Sequence, residues 1–343
     1  MTSTIPDASA SAHVRMYELL YSSMVSQLLI VAAELGVADH LVEGPREVDS
    51  LAERTGSHPQ ALYRALRALA SVGVFSEVGP RVFALTPLAD TLRSQGEGSM
   101  RDLARYVGLP ERQQAFAALL HSVRTGTPAF DHVHGIDWWS YFKARPQLGS
   151  LFNGAMGSMA RMVNSATLDA IDLSDVRRVV DVGGGRGYLV ARLLAQYPDM
   201  TAVLLDLPHV VPEAVDVLRD AGVADDRVEY VGGDFLTAVP EGGDLYVLSW
   251  TIHDWDEPEA ITILRNVRRA MSPTSSLIVI DEVPPEGDEP HFGKFEDIVM
   301  LALLTGRVRT RAEFESLFTA AGLRMTEIRS TSAPTSVIVA VPA

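Results

Sequence analysis

The run VVDVGGGRGYLV (Val179–Val190) carries the most specific chemical spacing in the chain. An apolar stretch ends in Asp181, turns through Gly183, Gly184, Gly185 and Gly187, and enters an apolar-periodic helix expected to reach Tyr197. Glycines at such a turn let backbone pass close to a ligand and take positive φ, and the helix start beyond them offers unpaired N–H groups. That is a site for a nucleotide-type ligand. Nineteen residues after Gly187, the strand-like run TAVLLDLP ends at Asp206, a carboxylate suited to the two hydroxyls of a ribose. A dinucleotide fingerprint requires another glycine three residues after Gly185; Tyr188 stands there, which argues against a dehydrogenase.

The spacing Asp181-x-Gly183-x-Gly185-x-Gly187 instead resembles the first motif of S-adenosylmethionine methyltransferases. In an open α/β sheet, ligands sit at the carboxyl ends of the strands. The third strand ends in Gly233-Asp234-Phe235, an acid and an aromatic suited to the amino group and ring face of adenine. The fourth ends in SWTIHDWDE, with Ser249, Trp250, His253 and Asp254, and the fifth in Asp281-Glu282. Methylating a hydroxyl calls for a base, because a phenol titrates near pH ~10 and an imidazole near ~6.5. His253 is that candidate, with Asp281 at the neighbouring strand tip placed to orient its ring.

Behind these residues the chain alternates strands and helices from Val176 onward, with near-continuous apolar strands that imply a parallel sheet covered on both faces. MTEIRSTS and TSVIVAVP close it as an antiparallel hairpin at the sheet edge. The fold class is α/β: a doubly wound, mostly parallel Rossmann-like methyltransferase sheet with an antiparallel edge strand, plus a mainly helical N-terminal winged-helix dimerisation domain. That domain is read from helical periodicity over Val14–Leu41, a helix pair over Val48–Gly56 and His58–Val74, and a hairpin around Gly79-Pro80. The expected boundaries are 1–100 for it, 101–172 for a helical connecting region lining the acceptor pocket, and 173–343 for the cofactor-binding catalytic domain.

Composition narrows the function. The 343 residues include no cysteine, which excludes disulfides, thiolate metal sites and cysteine nucleophiles. No His/Asp/Glu group has metal-ligand spacing along the sequence, so no metal is expected. A net charge of −15 argues against nucleic acid as partner, although the winged-helix pattern invites that reading; its second helix offers only Arg64 and Arg67. Residues 1–12 show no positive leader region, and Met24–Leu41 is interrupted by Gln27, Glu34, Asp39 and His40, unlike a membrane span. A cytoplasmic protein is the expectation.

From about residue 14 to its end, the chain resembles the S-adenosylmethionine-dependent O-methyltransferases that include plant caffeate-type enzymes and bacterial enzymes of aromatic polyketide and antibiotic pathways. The resemblance rests on VDVGGGRG, LLDLPHV (Leu204–Val210), GGDF, SWTIHDWDE, the FNGAM stretch (Phe152–Met156) and EDIVMLALLTGRVRT (Glu296–Thr310). It implies a homodimer joined through the N-terminal helices, S-adenosylmethionine as methyl donor leaving as S-adenosylhomocysteine, no metal, and an aromatic small-molecule acceptor with a phenolic or enolic hydroxyl. Gly183, Gly185, Asp206, Asp234, Phe235 and Ser249 would face the cofactor, with Asp181, Leu207, Gly233 and Trp250 beside them. His253 would be the base, supported by Asp281 and Asp254; Phe152, Asn153, Met156, Met300 and Leu304 would line the acceptor pocket. The family usually brackets its histidine with two glutamates. Here the first is Asp281 and the second position holds Val308, while Ser249 stands where plant members often carry lysine. Relatives that bind the same cofactor for hydroxylation or decarboxylation remain the alternative, and a winged-helix regulator a more distant one.

Overall fold

The computed structural model describes residues 11–96 and 98–343, so most of the Ser/Ala-rich start read from the sequence lies outside the described residues. The chain forms two compact units: residues up to Pro110 with Ser150–Ser158, and Glu111–Gly149 with Met159–Ala343.

In the first unit, helices Ala12–Tyr21 and Ser23–Glu34 meet at Ser22. Helix Val48–Thr55 stops where Gly56 turns left-handed at φ +66°, and Pro59 opens the next helix, which runs to Ser71. The expected hairpin is present as β2 (Phe75–Gly79) and β3 (Val82–Leu85), and β1 (Arg46–Glu47) adds a third strand on β3. Two residues are too few to show alternation, which is why β1 left no trace in the sequence pattern. Leu51, Leu62, Leu66, Leu69, Phe75 and Phe83 form the core of this unit. Met16, Tyr17, Leu19 and Leu20 do not join it; they are 58%, 61%, 57% and 70% exposed. The stretch Ala12–Glu34 is also long and apolar enough, at mean hydropathy 1.3, to cross a membrane by length and composition alone. Of the interruptions noted in Met24–Leu41, Gln27 and Glu34 fall inside this stretch, and Asp39 and His40 lie beyond it.

The second unit is built on seven strands: β4 (Arg178–Val182), β5 (Thr201–Asp206), β6 (Val228–Gly232), β7 (Leu245–Ser249), β8 (Ser276–Asp281), β9 (Leu323–Ser330) and β10 (Ser336–Pro342). Their order is β6-β5-β4-β7-β8-β10-β9; the first five run parallel, and β10 is antiparallel to both β8 and β9. Alternate residues of each strand enter opposite cores. Val180, Val182, Val203, Leu205, Leu277 and Val279 pack with Ile263, Leu264, Val267, Phe314 and Phe318 of helices Glu257–Ala270 and Arg311–Ala320. Val179, Leu204, Ile278 and Ile280 pack with Leu189, Leu193 and Leu218 of helices Tyr188–Gln196 and Val211–Asp220. Burial on both faces is the physical reason these strands read as unbroken apolar runs. From β4 the chain first builds outward through β5 and β6, then returns to add β7 and β8 on the other side. The gap between β4 and β7 is the switch point where doubly wound sheets hold their ligands.

Candidate active site

The turn after β4 is held open by its own backbone. Gly183, Gly185 and Gly187 take φ of +75°, +55° and +76°. The N–H groups of Gly183 and Gly184 donate to the Leu205 carbonyl at 2.9 and 3.1 Å. Asp206, at the tip of β5, accepts the Gly185 N–H on Oδ2 and the Leu207 N–H on Oδ1, both at 2.7 Å. Each of its oxygens keeps a second lone pair for a ligand hydroxyl. Asp181 lies beneath the turn, since a Cβ on Gly184 would stand 2.8 Å from its Oδ2. That oxygen is buried without a hydrogen-bond partner, and burial followed by the charge of Asp206 pushes the Asp181 pKa up to about 7. Among the described residues, none beyond Gly185 and its two chain neighbours comes within 4 Å of where a Gly185 Cβ would point, so the outer side of the turn is open.

The tip of β6 closes against the same turn. Gly233 N–H donates to the Asp206 carbonyl at 2.9 Å, and Asp234 Oδ1 accepts the Leu236 N–H at 2.8 Å. The Phe235 ring stands edge-on to Trp255 at 5.7 Å and approaches to 3.3 Å the place a Gly183 Cβ would occupy. Asn266 donates to the carbonyls of Phe235 and Leu236, both at 2.9 Å, and so pins this loop from the helix behind it.

Beyond β7 the backbone is strained. Thr251 Oγ1 donates to the Ser249 carbonyl at 3.1 Å, and Trp250 adopts φ +52°, a conformation costing a non-glycine residue about 1–3 kcal/mol. Its N–H still continues the β7–β8 ladder to Ile280 at 2.9 Å, while its indole N–H is buried without a partner. The kink turns the Ile252–Asp254 segment back over the sheet, with the His253 ring edge-on to Trp250 at 5.9 Å.

His253 is 4% exposed, and its Nδ1 lies 2.7 Å from Asp281 Oδ1 at the tip of β8. An ionised carboxylate only accepts, so the hydrogen sits on Nδ1 and Nε2 becomes the basic nitrogen. Asp254 Oδ1 is 3.5 Å from Nε2, and Glu282 Oε2 is 3.9 Å from Nδ1. Burial alone would lower the imidazole pKa; the charge and hydrogen bond of Asp281, then Asp254 and Glu282, outweigh it and raise it to about 10. Asp254 is raised to about 7 by burial, against the pull of His253. Ligand-type atoms of His253, Asp281 and Glu282 lie within 4.8 Å of one another, a closeness that 28 residues of sequence separation concealed. Within this group, Nδ1 takes the short bond to Asp281.

The loop is braced from a second loop, 304–310. Arg309, 1% exposed, spreads its guanidinium to donate to the carbonyls of Ile252 and Trp255, both at 2.9 Å. Gly306 packs so tightly that a Cβ there would collide with the backbone of His253, Asp254 and Trp255.

Residues 116–324 match the O-methyltransferase domain family, and residues 17–95 match the O-methyltransferase dimerisation domain. The chain belongs to the O-methyltransferase family. It is 41% identical to the phenazine O-methyltransferase PhzM of Lysobacter antibioticus over 95% of each chain. It is 36% identical to the aclacinomycin 10-hydroxylase RdmB of Streptomyces purpurascens over 90% of this chain and 83% of the relative. The crystal structure of LaPhzM superposes with a TM-score of 0.91 at 40% identity, covering 97% of this chain and all of the other. CalO1, a methyltransferase of calicheamicin biosynthesis solved in its S-adenosylhomocysteine-bound form, gives 0.86 at 35% identity over 97% of this chain and 98% of its own.

Within this O-methyltransferase, the second unit brings together Asp181, Gly183, Gly185, Asp206, Leu207, Gly233, Asp234 and Phe235 around one turn. It also places Ser249, Trp250, His253, Asp254 and Asp281 along the adjacent β7–β8 tips. Met300 is 5% exposed on helix Gly293–Leu303, and its carbonyl accepts the Leu304 N–H at 2.8 Å. Phe152, Asn153 and Met156 lie in the 150–158 segment of the first unit, where the Phe152 ring meets Tyr106 edge-on at 5.5 Å. Sequence reasoning placed Glu282 at the fifth strand tip without a role and gave none to Glu296; Glu282 is buried and Glu296 partly so, and both have raised pKa, with desolvation the first cause in each and the charge of His253 opposing it. It also missed Arg309 and Asn266. Val308 does not leave a gap: its side chain is buried and its N–H donates to Asp297 Oδ1 at 2.9 Å.

Proposed function

We propose that the chain transfers the methyl group of S-adenosylmethionine to a phenolic or enolic hydroxyl of an aromatic natural product, with His253 as general base. The observation that carries this reading is the 2.7 Å bond from His253 Nδ1 to Asp281, buried beside a glycine turn that is open where a Gly185 Cβ would point. The residues fit the cofactor: Asp206 retains lone pairs for a ribose, Phe235 offers a ring face, and the unpartnered Trp250 indole N–H and Asp181 Oδ2 are polar atoms a ligand could satisfy. When bound, S-adenosylmethionine supplies an electrophilic methyl on a sulfonium sulfur. Nε2 of His253 takes the acceptor's hydroxyl proton as the oxygen–carbon bond forms, and Asp281 holds the resulting imidazolium. Asp254, beside Nε2, adds to that field. Met300 and Leu304 are assigned to the acceptor. No metal is needed, because the histidine performs the proton transfer.

A cytoplasmic homodimer is the proposed setting. Support comes from the dimerisation domain at 17–95 and from the apolar faces of Ala12–Tyr21 and Ser23–Glu34, which a partner's copy of the same helices would cover. The same pairing accounts for their hydropathy without a membrane, and the charge of −15 disfavours nucleic acid. The similarity to RdmB, a hydroxylase by name, keeps hydroxylation as the second reading. Incubation with methyl-labelled S-adenosylmethionine and a panel of phenolic polyketides, anthraquinones and catechols separates the two by product mass. A labelled methyl on oxygen supports the first reading; an added oxygen with no label supports the second.

A further inference from the structure

The acids around His253 exceed what one imidazole can pair. Asp281 and Glu282 are each 0% exposed, yet Asp281 Oδ2 and both carboxylate oxygens of Glu282 have no hydrogen-bond donor among the described residues. Two adjacent carboxylates buried this deeply do not both ionise. The Glu282 N–H donates to Asp281 Oδ1 at 2.9 Å, and carboxylate oxygens of the two residues lie within 4.8 Å of each other and of a His253 ring nitrogen. The start of helix Gly293–Leu303 lies directly on this pair, since a Cβ on Gly293 would stand 2.8 Å from Glu282 Cβ. Groups facing Glu282 are Asp281 on its own strand, His253 from the loop after β7, and Glu296 from the covering helix. Asp254 adds to the field on His253; among cations, the charge of Arg112 bears on Glu296, and Arg309, which donates to the Ile252 and Trp255 carbonyls, also interacts with Asp281.

We propose that Glu282 is a positioning residue that stays protonated and donates a hydrogen bond to Asp281 Oδ2, so that the pair presents one negative charge to His253. The donated bond fixes the Asp281 carboxyl plane and thereby the imidazole. Neutrality at Glu282 also limits how strongly the imidazolium is held, which keeps the proton exchangeable. Burial, followed by the charge of Asp281, raises the pKa of Glu282, as this arrangement requires.

Carboxyl titration by NMR, on protein labelled with carbon-13 at the glutamate side-chain carboxyl, tests this without any turnover; Glu282→Gln assigns the resonance. A Glu282 signal that titrates above pH ~7 supports the proposal, and one that titrates near the ordinary ~4.3 overturns it. A kinetic arm rests on His253 being the base. Glu282→Ala should lower kcat for methyl transfer about 10–100-fold with the S-adenosylmethionine dissociation constant unchanged, and Glu282→Gln, which keeps an N–H donor, should recover most of the loss. Equal losses in both variants would mean that an ionised carboxylate is needed, and no loss in either would mean no role; both results contradict the proposal. Failure of methyl transfer in the wild type leaves the NMR result standing, so the two readings fail separately.

Discussion

His253 is both well placed and strongly protonated. With its pKa raised to about 10, chiefly against desolvation by Asp281, the ring rests as imidazolium at neutral pH and must lose that proton before it can accept another. Methyl transfer should therefore rise with pH, by about tenfold per unit on the acidic limb. A bound sulfonium is a like charge that lowers the imidazole pKa, so the inflection in kcat, read on the cofactor-loaded enzyme, should lie below the ring's titration in the free protein followed by NMR. A flat profile between pH 6 and 9 would be inconsistent with a histidine base. Asp181 is the second residue whose charge state matters. Its carboxyl is raised to about 7, so the folded state holds its proton more tightly than the unfolded chain. Its contribution to stability is present below the unfolded value of ~3.9 and is lost as pH rises through about 7. Asp181→Asn should thus stabilise the ligand-free protein increasingly from pH ~4 to ~7 and then level off, by at most about 4 kcal/mol, measured as Tm across that range.

At the scale of elements, the alternation of apolar strands and periodic helices disclosed the sheet, its antiparallel edge and the glycine turn, because each rests on local pattern. The acids and braces around His253 were not legible. Glu282 stands at the fifth strand tip with no role of its own, and Arg309 reads as one arginine among many; the start of helix Gly293–Leu303 covers the first, and the packing of loop 304–310 onto loop 251–255 buries the second. Val308 stands where the family usually carries an acid, while Glu282 brings a carboxylate oxygen to 3.9 Å from the ring, a proximity the sequence does not disclose. The back-to-back loops make a sharp prediction. Gly306→Ala forces a methyl group into the backbone of residues 253–255 and should cost about 1–3 kcal/mol in stability and at least tenfold in kcat. Chemical denaturation and steady-state rates check both; a variant of wild-type activity would show that the loop tolerates displacement.

For the molecule as a whole, the unburied apolar helices at the start of the first unit are the largest unbalanced feature. Leu20 is 70% exposed and Tyr17 61%, in a segment overlapping the dimerisation domain. Tyr17→Glu combined with Leu20→Glu should shift the protein from dimer to monomer in analytical ultracentrifugation, since two buried charges without partners oppose association. An unchanged sedimentation coefficient would place the interface elsewhere. The winged-helix pattern was legible from sequence, but its use as a dimerisation module came from charge: an acidic protein with two arginines on the second helix is poorly suited to a phosphate backbone.

The most direct test compares wild type with His253→Ala for transfer of labelled methyl to an accepted phenol, while calorimetry follows S-adenosylmethionine binding to each. A fall in kcat of about 10²–10⁴-fold with cofactor affinity preserved is the expected result. Undiminished transfer in the variant would contradict the assignment of the base.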